Sequence, residues 1–317
     1  GSCPTSSRVT SLTSDQVRRS GNGGRSVAWI TIEESSDAHH LGRIESCLLE
    51  RGVTVRVLGP DLETGGLEGV SEVQVPEPDF ERALESGQNA HRFSVEWSRI
   101  QPTPDTWDED ALERYRAMLR GLKERGMTPM VTLHHYTDPI WLGDGWETGT
   151  AISSFEKFVR KTVEALKEYC TLWCTFNEPT GYVLNGYVGG GLSGSFPPGK
   201  NNMRLAMQVQ ANMIRAHVAA YHAIHQIQPE ARVGIAVHYR SLVAHHSWSP
   251  LDKLLARNAF NLLNESFALT LASGNMRTAL VTFRIPEAKG TQDYFGFNYY
   301  TSDRVRFELQ NHEACFS

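Results

Sequence analysis

No stretch of this 317-residue chain approaches the roughly 18 consecutive apolar residues of a bilayer-spanning helix. Nor does the N-terminus have the basic-then-apolar layout of a signal peptide. Positive charge is not in excess: the net charge is −5 and the pI ≈ 6.2, which argues against a nucleic-acid or anionic-membrane partner. Cysteine is sparse and odd in number, at positions 3, 47, 170, 174 and 315. Cys170 and Cys174 lie four apart, but no second Cys or His pair completes a zinc pattern. These absences leave a cytoplasmic protein with free buried thiols as the expectation, and the residues imply no metal or redox cofactor.

What is present is a regular alternation of strand-like and helix-like segments. Residues 1–25 are Ser, Thr, Arg and Gly with almost no apolar pattern, and read as a disordered leader. Residues 26–317 read as one domain, of which 26–76 is atypical. There the apolar runs Val27–Ile32 and Val53–Leu58 flank a helical pattern, Ala38–Arg51, and Glu72–Val75 is a further short strand. A dinucleotide-binding unit would need a Gly-x-Gly-x-x-Gly turn after Ile32, but Ser35-Ser36-Asp37 stands there.

From Pro78 onward helices 79–86, 109–125, 153–169, 203–227 and 251–272 alternate with strands 91–95, 129–133, 172–176, 232–237 and 294–298. Such alternation implies a parallel sheet with helices outside it. Polar and aromatic residues gather just past the strand ends: Trp97-Ser98-Arg99, His134-His135-Tyr136-Thr137, Asn177-Glu178-Pro179 and Tyr299-Tyr300. That end of the strands carries the active site in a (β/α)8 barrel, and also in a doubly wound sheet.

Glu178 follows a strand and precedes a proline that fixes the chain's exit. A carboxylic acid there can protonate a glycosidic oxygen if burial or a neighbouring anion raises its pKa. Taken alone, Asn-Glu-Pro reads equally well as an acidic helix N-terminus. Trp97 offers an aromatic platform for a sugar, although large aromatics more often belong to a core. Arg92 could likewise be a satisfied buried ion-pair residue.

Four segments together carry a resemblance. His91–Ile100, Thr132–Pro139, Thr175–Pro179 and Asp293–Tyr300 are similar, in order and spacing, to the second-, third-, fourth- and sixth-strand signatures of glycoside hydrolase family 1. The resemblance implies a TIM barrel and retaining hydrolysis of β-glucosides or related β-glycosides. It implies Glu178 as acid/base, Asn177 on the glycone 2-hydroxyl and His135 on the glycone. Tyr136 stands at an aromatic position, Asn298 in the sixth-strand segment, and Arg92 and Tyr300 beside the nucleophile.

Three pieces of the family pattern are not found: a first-strand Gln-Ile-Glu-Gly run, the seventh-strand Ile-Thr-Glu-Asn-Gly run with its nucleophile, and an eighth-strand Trp-Ser segment. The expectation is therefore an incomplete or atypically closed barrel with weak or lost activity. In one reading the strand–helix–strand unit supplies the missing staves and Glu33 or Glu34, in Ile30-Thr31-Ile32-Glu33-Glu34, is a displaced nucleophile; the plainer account is that they charge the start of the following helix. In another the chain is a non-catalytic sugar- or ligand-binding relative whose sheet edges are covered in a homo-oligomer.

Overall fold

A computed structural model describes residues 77–188 and 196–308. The leader 1–25, the runs Val27–Ile32 and Val53–Leu58, the short strand Glu72–Val75 and the carboxylates Glu33 and Glu34 lie outside the described residues.

Five parallel strands form one sheet in the order β1-β2-β3-β4-β7. They are β1 Ala90–Ser94, β2 Thr128–His134, β3 Leu172–Asn177, β4 Arg232–Ala244 and β7 Tyr294–Val305. Two short strands, β5 Asn275–Arg277 and β6 Thr282–Arg284, pair as an antiparallel hairpin apart from it; the sequence pattern read this stretch as irregular.

Helices return the chain between strands. They are α1 Glu77–Glu85, α2 Trp97–Ile100, α3 Glu109–Glu124, α4 Gly145–Thr148, α5 Ala151–Leu166, α6 Pro179–Tyr187, α7 Met203–Ile227, α8 Pro250–Phe260 and α9 Ser266–Ser273. Apolar spacing dictates which face each one buries. On α5, Phe155, Phe158, Val159, Val163 and Leu166 recur three to four residues apart and are wholly buried. Each such side chain contributes about 1.5–3 kcal/mol. Asn202 opens α7 by accepting from the Leu205 amide at 3.1 Å.

The helical pattern expected over 251–272 is interrupted. Between α8 and α9 the turns of Asn261–Glu265 widen to π-helical spacing. Strands β4 and β7 also run well past the expected ends at 237 and 298, and their pairing continues to Ala244 and Val305.

The sheet is strongly curled. Arg92 on β1 and Asn298 on β7 sit on the two outermost strands, which in a flat sheet lie roughly 19 Å apart at about 4.8 Å per step. Yet both donate to the Oδ1 of Asn177 on the middle strand, at 2.9 and 3.1 Å. The concave face thus corresponds to the inside of a barrel, and the described residues form a partial (β/α)8 barrel. Met130, Cys174 and Ala236 pack together in a small cluster with Leu172 and Tyr294, while Val131, Leu133, Trp173, Val233, Ile235 and Val237 belong to the main core with the helices. No helix among the described residues is long and apolar enough to cross a membrane.

Candidate active site

The C-terminal ends of the strands converge on Glu178. A register shift in the pairing of β3 with β4, between Cys174 and Asn177, departs from simple alternation. Phe176 stacks on Phe155 at 4.7 Å within the main core, while the Asn177 amide meets Arg92 and Asn298.

Glu178 has left-handed backbone angles, φ 48° and ψ 52°, and its amide donates to the Ala236 carbonyl at 2.6 Å. A non-glycine residue in this region costs about 1–2 kcal/mol, a cost that recurs at functional positions. Although it stands at the N-terminus of α6, its side chain makes no capping bond. That separates it from an ordinary acidic helix start.

The carboxylate is almost fully enclosed, at 4% exposure, and both oxygens are occupied. Oε1 accepts from Asn298 Nδ2 at 2.7 Å and from the Tyr300 hydroxyl at 2.5 Å. Oε2 accepts from the Tyr136 hydroxyl at 2.6 Å and faces His238 Nδ1 at 3.2 Å. Burial by itself pushes this carboxyl up. The four donors, His238 foremost and then Tyr136, Tyr300 and Asn298, outweigh it and hold the group at about 2. The condition attached to Glu178 from sequence, a raised pKa, is therefore not met in this arrangement: the group is an anion at neutral pH.

Tyr136 reaches Glu178 because two backbones allow it. Its own φ is 68°, and Gly181 leaves room, since a Cβ there would lie 2.7 Å from the Tyr136 hydroxyl. His135 turns toward β1, where its Nδ1 lies 2.9 Å from Ser94 Oγ. Arg92 reaches Asn177 and also Thr132 Oγ1 at 3.2 Å. Glu178, Asn177, Arg92, Tyr136, Asn298 and Tyr300 are thus brought together.

Trp97 requires a correction. It is 1% exposed and packs among Trp141, Trp146, Phe155 and Phe158, with its indole nitrogen donating to Gln101. Residue 97 opens α2, and the helical turn carries its ring into the core, so it offers no platform to a sugar.

Sequence reasoning missed His238 and Arg240, whose Nε donates to His238 Nε2 at 3.0 Å. The usable signal was the one applied elsewhere, polar residues directly after the apolar run Val233–Val237. It also assigned nothing to Asp138. That carboxylate accepts from His134 at 3.1 Å, Trp146 at 2.9 Å and Tyr182 at 2.7 Å. It thereby ties the loop after β2 to α4 and α6. Among the described residues no cluster of three or more His, Cys, Asp or Glu is placed to hold a metal ion.

The family profile described as glycosyl hydrolase family 1 matches residues 75–315. A β-galactosidase of Pyrococcus woesei is 29% identical over 301 residues, covering 76% of this chain and 58% of the relative. The cytosolic β-glucosidase of Cavia porcellus is 28% identical over 272 residues, covering 75% and 56%. Among solved structures, a β-glycosidase from Pyrococcus horikoshii superposes with a TM-score of 0.66 at 34% identity, covering 74% of this chain and 53% of that one. The chain spans little more than half the length of these relatives.

Proposed function

Because the chain belongs to glycosyl hydrolase family 1, we propose that it acts on β-glycosides with retention of configuration, Glu178 serving as the acid/base. The observation that carries this reading is the convergence of the end of β3, the loop after β2, β4 and β7 on one enclosed carboxylate. In the reaction the acid protonates the departing glycosidic oxygen while a second carboxylate attacks the anomeric carbon. Glu178, then an anion, takes a proton from the water that releases the sugar. Asn177 and His135 are the proposed glycone contacts, and Arg92 and Tyr300 are proposed to lie beside the nucleophile and hold it ionised. β-Glucosides are the proposed substrate class, in line with the relatives named β-glucosidase. Cytoplasmic residence is proposed too, in keeping with buried free Cys170 and Cys174.

The activity proposed is weak. A carboxyl held at about 2 carries no proton at neutral pH, and the second carboxylate, for which Glu33 and Glu34 are the candidates, must lie about 5–5.5 Å from Glu178. The same observation favours a second reading, a barrel relative that binds a carbohydrate without turning it over.

Glu178→Gln separates these. It should lower hydrolysis of β-glucosides with poor leaving groups by orders of magnitude and affect activated aryl glycosides far less. Equal loss on both points to a structural role. Binding with neither turnover nor a covalent adduct from a mechanism-based fluorosugar selects the non-catalytic reading.

A further inference from the structure

We propose that Arg240 is a positioning residue for the carboxylate of Glu178, acting by fixing the tautomer of His238. A guanidinium only donates. Arg240 Nε lies 3.0 Å from His238 Nε2, so that nitrogen presents its lone pair and the imidazole proton sits on Nδ1. Nδ1 lies 3.2 Å from Glu178 Oε2 and donates to it. The opposite tautomer would set two donors against each other on one side and a lone pair against a carboxylate on the other.

Independent features show that Arg240 is held for this task. The β4–β7 pairing shifts register between Tyr239 and Ser241, on either side of Arg240; such irregularities beside active sites re-aim a side chain. The amide of Asn264, buried at 3% exposure, grips the Arg240 backbone from both sides. Its Oδ1 accepts from the Arg240 N–H at 3.0 Å and its Nδ2 donates to the Arg240 carbonyl at 2.7 Å. Asn264 belongs to the π-helical turns of Asn261–Glu265, a distortion often found at functional sites. Asp303 on β7 pairs with Arg240 Nη1 at 3.2 Å. The Tyr300 ring stacks on the imidazole at 4.8 Å, which fixes its plane.

The other groups facing Glu178 are Tyr136 from the loop after β2 and Asn298 and Tyr300 from β7, with Arg92 of β1 one step removed through Asn177. His238 differs from them in having two tautomers, and Arg240 selects one.

The proposal takes Glu178 as the reactive carboxylate of the reading above, but its test reads no turnover. In the isotope-labelled full chain, long-range proton–nitrogen correlation spectra should show His238 protonated at Nδ1 and bare at Nε2, with assignment by loss of the signal in His238→Gln. An imidazole protonated at Nε2, or at both nitrogens, near neutral pH overturns the proposal without any variant at Arg240. Arg240→Met keeps the stem and removes the donors. It should mix the tautomers and raise the midpoint of the Glu178 carboxyl carbon resonance by about one to two pH units, the effect of weakening one bond to a charged acceptor. Arg240→Lys should retain part of both signatures. A tautomer and a midpoint unchanged in Arg240→Met overturn the assignment. Absence of glycosidase activity with the signatures present would count against the functional reading alone.

Discussion

Strands β3 and β7 are both aromatic-rich runs of one parallel sheet, and their surroundings differ completely. β3 lies between β2 and β4, and Trp173 and Phe176 are wholly buried. β7 ends the sheet among the described residues. Its residues alternate: Asn298 and Tyr300 turn to Glu178, while Phe295, Phe297 and Tyr299 are 45, 59 and 46% exposed. A parallel strand needs cover on both faces, and among the described residues β7 has it on one. The acid at the end of β3 is therefore anchored in a closed core, whereas two of its four donors come from a strand whose outer face is bare among the described residues.

Three measurements press on that contrast. Phe176→Ala should cost about 3–5 kcal/mol, because it empties a site among Phe155, Trp146 and Phe267 in the packed core; urea denaturation reads it. A loss under about 1 kcal/mol would mean that the β3 side is as loosely packed as the β7 edge.

The second measurement is of pH, through the pin that joins the two regions. His217 on α7 is wholly buried, with Nδ1 2.7 Å from Thr175 Oγ1 on β3 and Nε2 2.6 Å from the Thr291 carbonyl just before β7. Burial drives its pKa from 6.5 down to about 4, only partly offset by the Thr291 bond. The unfolded chain therefore takes up this proton at higher pH than the folded one. The stability contribution is complete above pH 6.5 and falls as pH drops toward 4. Between pH 7 and 4.5 the loss should be on the order of 2–3 kcal/mol. His217→Gln should be less stable at pH 7 and should lose most of the slope over that interval, with a remainder from His91, which burial also shifts down; a slope equal to the unsubstituted protein's would remove His217 as its source.

The smallest effect belongs to the open face. Phe297→Ala should change stability by no more than about 0.5 kcal/mol. A core-sized loss would show that the full chain covers β7.

Much of this was legible without coordinates. The sequence order of the five sheet strands and of the longer helices between them, the bounds of α7 and the place of Asn177 and Glu178 at a strand end follow from apolar period and from proline and glycine punctuation, whereas the short helices α2, α4 and α6 and the β5–β6 hairpin do not. These are local properties, written within a few residues of each position. The period could not show the π-helical turns at Asn261–Glu265, because a slightly widened turn leaves the apolar face almost unchanged. It could not carry β4 and β7 past Val237 and Asn298, where polar residues continue the ladder through backbone bonds that no side-chain pattern records.

The site divides in the same way. That Glu178 ends a strand is a matter of sequence. That Trp97 turns into the core, that Tyr136 enters the space Gly181 leaves, and that Arg240 reaches Glu178 through His238 are not. Those contacts join residues from two to about sixty positions apart. They exist because register shifts re-aim single side chains and because the sheet curls until its outer strands meet over Asn177. Curl and shift are properties of strands packed together. The amino-acid sequence determined which faces each segment offers, and only the tertiary structure decided which faces touch.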